Sequence, residues 1–149
     1  MRKVKIATIA MDLDNFGDIV KRFGLSEYSP NTITAQLTSL AENFVRKHRA
    51  VVLHGLDYER GTEEVILEVI EPELDEIIND LEFIRREIEK LGKETGTNVT
   101  ISIGIALGYM TLFRKVREKR KKWQTPTRVL AKRALEKAKK DGGNKIIVI

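Results

Sequence analysis

Asp12 and Asp14 stand one residue apart in "IATIAMDLDNF" (residues 6–16), at the end of a stretch otherwise fit for burial. Two carboxylates so close in sequence can form part of a metal site. The same residues can also end a strand, their carboxylates accepting backbone N–H groups in the turn. Local sequence admits both readings. Two further acids, Asp57 and Glu63, flank a turn at "ERGT" and could approach each other from adjacent strands if the hairpin closes near Arg60. Other chemistries are closed off. The chain has no cysteine, which removes disulfides, thiolate zinc sites and thiol nucleophiles. Only His48 and His54 carry imidazoles, so a nucleophile–histidine enzyme is disfavoured, and His54, with no suitably spaced partner, is given no role.

The length of 149 residues corresponds to one domain spanning 1–149, with a core large enough to need no disulfide or structural metal. Basic residues precede the first apolar run, but that run is short, meets Asp12 and lacks a small-residue cleavage site, so it reads as a strand of an intracellular, cytoplasmic protein. No apolar segment approaches the ~20 residues that span a bilayer. Charged residues reach 33%, rich in Lys, Arg and Glu, a balance common in thermostable proteins with ion-pair networks. The net charge of +5 is uneven, with acids concentrated at 59–94 and bases at 110–145, and favours an anionic partner.

The elements that must position these residues follow from periodicity. "VKIATIAM" (4–11) reads as a buried strand, followed by a loop or short helix through "NFGDIVKRFGLSEYSP". Ile33, Leu37, Leu40, Ala41, Phe44 and Val45 share one face of a helix over 32–48, with Asn31 or Thr32 as N-cap. "AVVLHGLDY" and "EEVILEVI" form a hairpin across "ERGT", Gly61 taking the positive-φ position. Pro72 opens the longest helix, which Gly92 or Gly96 helps to stop. A strand "NVTISIGIAL" ends at Gly108, then come a basic helical stretch around 110–121, the helix "TRVLAKRALEKAKK" and a last strand "NKIIVI". This order predicts an α+β fold of ferredoxin-like or palm type, an antiparallel sheet with helices packed on it.

Three separated segments, "MDLDNF", "VTISIGIAL" and "AKRALEKAKKDGGNKIIVI", resemble in order and spacing the GGDEF-type nucleotidyl cyclase superfamily. Its members carry a D-x-D-x-F element, a T-x-S-x-G-x-A strand and a closing A-x-x-A-L-x-x-A-K-x-x-G-x-N element. "DNFG", a proline-led helix and a long hairpin also resemble one half of the archaeal GTP cyclohydrolase III. The palm subunit of type III CRISPR complexes is a more distant cousin. The resemblance implies a purine nucleoside triphosphate, GTP or ATP, bound with Mg²⁺, and either hydrolysis or nucleotidyl transfer. It assigns Asp12 and the carbonyl of Leu13 to the metal, with Asp57 ("HGLDY") or Glu63 ("GTEEV") as the second acid. Glu63 would then join Asp12 in catalysis, and Asn15, Phe16 and Lys139 would meet the nucleotide beside Leu13, the alternative for Phe16 being an anchor of the loop in the core. Cyclase chemistry further implies a homodimer with two half-sites facing each other. The chain departs from the family at the hairpin signature. It also has Val20 where a base-reading asparagine falls and Gly143 where an arginine follows the lysine, leaving Lys140 or Lys145 to supply positive charge.

Two other function classes compete. One is a regulatory or dimerisation module that keeps the fold without the chemistry. The other is a nucleic-acid-binding protein using "RKVREKRKK" (114–122) and Trp123, since clustered cations bind phosphates and an aromatic can stack on bases. The alternative for that run is a solvated helix face paired with the acidic helix at 72–94 or with another subunit.

Overall fold

The computed structural model describes residues 3–26, 29–111 and 125–149. Along the chain these form β1 (Lys3–Leu13), α1 (Phe16–Phe23), α2 (Thr32–His48), β2 (Val51–His54), β3 (Glu64–Ile70), α3 (Leu74–Thr95), β4 (Ile101–Thr111), α4 (Pro126–Lys140) and β5 (Ile146–Val148). The five strands make one sheet in the order β2-β3-β1-β4-β5. All neighbours are antiparallel except β4 and β5, which run parallel. The α+β architecture expected from the element order is therefore present, but the sheet is mixed rather than antiparallel, because β5 returns parallel to β4 after α4.

Strand β1 is the central member, and its alternation explains the two faces. Ala7, Ile9, Met11 and Leu13 point to a core built with Leu37 and Phe44 of α2 and Ile77, Leu81, Ile84 and Ile88 of α3. Residues of the opposite parity face α4, where Ala10 and Ala106 pack on Ala131 and Leu135. Helix α4 lies unusually close to the sheet. A Cβ placed on Gly104 would collide with the α4 backbone at Ala131 and Leu135, so glycine there sets how deeply the helix sits.

Local sequence fixes the helix ends. Asn31 caps α2 through Oδ1, which accepts Ile33 N–H and Thr34 N–H at 3.0 Å, while Thr34 Oγ1 accepts Asn31 N–H, a reciprocal box. Thr125 caps α4 ahead of Pro126. Helix α3 begins at Leu74, two residues beyond Pro72, and stops where Gly96 turns left-handed at φ 74°.

Other expectations change as well. The hairpin is shorter in strand and longer in loop, because Gly55 (φ 102°) and Leu56 (φ 55°) break β2 well before "ERGT". Strand β4 continues past Gly108 to Thr111, pairing with β1 as far as Lys3, so residues 110 and 111 are strand rather than the start of a helix. The rest of that basic helical stretch, with the 114–122 run and Trp123, lies outside the described residues. Among the described residues no helix is long and apolar enough to cross a membrane.

Candidate functional site

The C-terminal end of β1, the start of β3 and the last turn of α4 meet at one edge of the α4 face. Asp12 lies in register with Glu64 of β3 on one side and Ser102 of β4 on the other. Directly paired residues point to the same face, so the Asp12 and Glu64 side chains are neighbours. Lys139, in the last turn of α4, reaches the same place, and its position at a helix C-terminus suits a cation.

The two acids of D-x-D have opposite surroundings. Asp14 is buried and accepts four donors: Thr100 Oγ1 at 2.7 Å, Ser102 Oγ at 2.7 Å, the Asn144 N–H at 2.9 Å and Lys139 Nζ at 3.2 Å. Burial opposes its ionisation, but the bonds from Ser102, Thr100 and Asn144 and the Lys139 charge outweigh it, holding its carboxyl below the usual carboxylate range. Asp14 is thus a fixed anion tying β1 to β4 and to the loop after α4. Gly143 is part of this design, since a Cβ there would come within 2.9 Å of Asp14 Oδ2. Arg85 and Glu89 of α3 grip the Asn144 side chain, at Oδ1 and Nδ2 respectively, and steady the loop from outside.

Asp12 is half-exposed and has fewer partners. Its carboxyl is pushed up by burial, against the bond and charge of Lys139, and then by the neighbouring carboxylates Glu64 and Asp14. Lys139 Nζ lies 3.0 Å from Asp12 Oδ2 and donates to the Leu13 carbonyl at 3.2 Å and to Asp14 Oδ1 at 3.2 Å. Among the described residues, three carboxylates and one ammonium leave the locus net negative. It is therefore suited to further positive charge.

The remaining expected residues are distributed as follows. Asn15 occupies the left-handed turn at φ 52°, its side chain exposed and making no cap bond. Phe16 is buried in the main core with Ile19 and Val20, so its ring anchors the loop and Val20 presents no polar group. Asp57 spends its carboxylate within the hairpin loop, where Oδ1 accepts Glu59 N–H at 3.0 Å and Arg60 N–H at 2.9 Å. The Glu63 side chain is exposed, and its carbonyl accepts Leu13 N–H at 3.1 Å. The structure thus brings together Asp12, Leu13 and Lys139, and places Glu64 across from Asp12 rather than Asp57 or Glu63. Lys145 pairs with Asp141.

Glu64 escaped the sequence reading, although a signal existed. Val65, Leu67 and Val69 are the buried parity of β3, which sends Glu64 to the face where Asp12 points. The loop before it is pinned to α2, with Thr62 Oγ1 2.6 Å from Thr38 Oγ1 and Gly61 packed on Thr34. Beside Glu64 a cleft of about 500 Å³ opens between the hairpin and α4, lined by Ala10, His54, Ile66, Arg128, Val129 and Lys132. Arg128 also grips the buried Glu68 at 3.0 and 3.2 Å, which fixes the N-terminal turn of α4 to β3.

No protein-family model matches the chain, and no curated protein does. Solved structures do. The GGDEF domain of DgcB from Caulobacter crescentus, in complex with c-di-GMP, aligns with a TM-score of 0.60 at 18% identity, covering 97% of this chain and 78% of that one. The catalytic core of a rhodopsin-guanylyl cyclase with converted specificity, in complex with ATPαS, gives 0.56 at 16% identity over 91% and 73%. The dimeric guanylyl cyclase domain of the RhoGC fusion protein from the aquatic fungus Blastocladiella emersonii gives 0.56 at 15% over 91% and 76%. The chain shares the fold of these GGDEF and guanylyl cyclase domains. At such identities the likeness is one of fold.

Proposed function

We propose that the chain binds a purine nucleoside triphosphate together with Mg²⁺ at Asp12 and acts on it, by hydrolysis of the kind performed by GTP cyclohydrolase III or by nucleotidyl transfer. The observation that carries this reading is the convergence of the Asp12 carboxylate, the Leu13 carbonyl and Lys139 at the end of β1, with Glu64 in register across the sheet. Among the described residues no three acidic or histidine side chains form a ready metal cage. That arrangement still fits Mg²⁺, which favours hard oxygen donors and is commonly held by one or two carboxylates plus substrate phosphates. Asp12, the Leu13 carbonyl and Glu64 would hold it. When bound, the ion would neutralise phosphate charge and make an attacking oxygen more acidic.

The chain's own groups account for the rest. Lys139, kept beside Asp12 by its bond to Asp14, has an ammonium to offer to terminal phosphate oxygens. Lys132 adds positive charge along the cleft, while Ile66 and Val129 give it an apolar wall for a nucleoside. With Val20 in the core, recognition of the base does not fall to that position. The transfer branch requires two such sites face to face, hence a homodimer; the hydrolysis branch does not.

The test is to titrate GTP and ATP with and without Mg²⁺ and to follow products by chromatography. Metal-dependent turnover that Asp12→Ala abolishes is the expected result. Metal-dependent binding without turnover would favour a regulatory module that keeps the fold. Absence of binding at millimolar nucleotide overturns the proposal.

A further inference from the structure

We propose that Lys139 is a built-in cation occupying the seat of the metal, so that a divalent ion gains Asp12 and the Leu13 carbonyl only when a polyphosphate draws the ammonium away. This rests on the reading of Asp12 and Leu13 as metal ligands. An ammonium has three N–H donors, and among the described residues Lys139 meets three acceptors: Asp12 Oδ2, the Leu13 carbonyl and Asp14 Oδ1. Two of these are the oxygens a divalent ion would take. Two cations cannot share them at contact distance without strong repulsion.

The lysine is also placed to leave. Its side chain is 31% exposed, so a path to solvent is open. Asp14 keeps Thr100, Ser102 and the Asn144 N–H when Lys139 departs, so it is not stranded without partners. Asp12 is the group that must be re-partnered, since Glu64 and Asp14 already raise the local negative charge. A triphosphate supplies a competing acceptor for the ammonium, and the vacated oxygens accept the metal. Metal and triphosphate therefore bind with positive coupling, and the coupling passes through one side chain.

The experiment is a Mn²⁺ titration followed by electron paramagnetic resonance, without nucleotide, on the wild-type chain and on K139M, K139R and D12N, each first checked for folding by circular dichroism. K139M should bind Mn²⁺ at least about tenfold more tightly than wild type, because a like charge at contact distance is gone. K139R should stay weak, and D12N should lose the site in any background. Equal or weaker Mn²⁺ affinity in K139M overturns the proposal. Should K139M not fold, the Lys139 ¹³Cε resonance of the wild-type chain gives the same reading. It should hold still with Mg²⁺ alone and move with Mg²⁺ plus a non-hydrolysable triphosphate; movement with Mg²⁺ alone contradicts the exchange. The two readings fail separately. A chain that binds no triphosphate yet gains Mn²⁺ affinity in K139M refutes the nucleotide function and leaves the shared seat standing. Metal-dependent triphosphate binding with equal Mn²⁺ affinity in both chains does the reverse.

Discussion

The two faces of the sheet are built on different principles. The face toward α2 and α3 is sealed with large aliphatic side chains, Ile9, Met11, Leu81 and Ile88 among them. The face toward α4 uses small residues, Ala10, Gly104, Ala106, Ala131 and Ala134, and admits charge: Asp12, Glu64, Glu68, Arg128 and Lys139. The first face supplies stability. The second trades apolar volume for a helix held close enough to deliver a lysine to the end of β1. Asp14 lies on this second side as well, a buried anion tying β1 to β4 and to the loop after α4.

Substitutions on the two faces should separate accordingly. The largest loss is expected on the sealed face: Leu81→Ala should cost about 2–5 kcal/mol in chemical denaturation, with metal and nucleotide affinity retained in the fraction still folded. Asp14→Ala removes the common acceptor of four donors and should cost about 3 kcal/mol. Because Asp14 also fixes the end of β1, which carries Asp12 and the Leu13 carbonyl, against β4, nucleotide affinity falls as well. Gly104→Ala forces a methyl against the α4 backbone and should cost about 1–3 kcal/mol while weakening nucleotide binding. Asp12→Asn should change stability by about 1 kcal/mol or less, since its ion pair is half-exposed, yet abolish metal-dependent binding. The smallest pair sharpens the hairpin register: Glu64→Gln should weaken Mg²⁺-dependent nucleotide binding by about tenfold, and the exposed Glu63→Gln should leave it unchanged.

The same contrast appears in pH dependence, measured without metal. Asp14 is held below the ordinary carboxylate range, so the stability it contributes is present above its unfolded value and lost as pH falls through its folded value. Wild type should therefore outlast Asp14→Asn at neutral pH and lose that advantage in acid. Asp12 is pushed up, so its contribution is present below its unfolded value and lost as pH rises through its folded value. Wild type should then gain on Asp12→Asn in acid and lose ground as the carboxyl ionises. Denaturation midpoints between pH 3 and pH 7 test both signs.

Much of this design was legible in the chain. Helix α2 falls at 32–48 as periodicity predicts, and the T-x-S-x-G-x-A strand acquires a physical meaning. Thr100 and Ser102 donate to Asp14, Gly104 admits α4, and Ala106 packs beneath it. Lys139 and Asp12 were placed together by motif order, with most of the chain between them. What stayed hidden was the hairpin register. Gly55, where a Cβ would meet the Glu64 carbonyl, and Leu56, packed against the core, take positive φ, and local turn propensity at "ERGT" could not reveal where β2 would stop. Strand parity held the answer, because buried Val65 and Met11 share one face and leave Asp12 and Glu64 on the other. The role of Asn144, which lends its N–H to Asp14, belongs to backbone geometry that side-chain patterns do not encode.

The most direct measurement is a crystal structure with Mg²⁺ and a non-hydrolysable purine triphosphate. The account predicts the ion on the Asp12 carboxylate, the Leu13 carbonyl and Glu64, with Lys139 moved off Asp12 and onto the terminal phosphate. An ion held by Asp57 or Glu63, or a triphosphate bound while Lys139 still bridges Asp12 and Asp14, would contradict it.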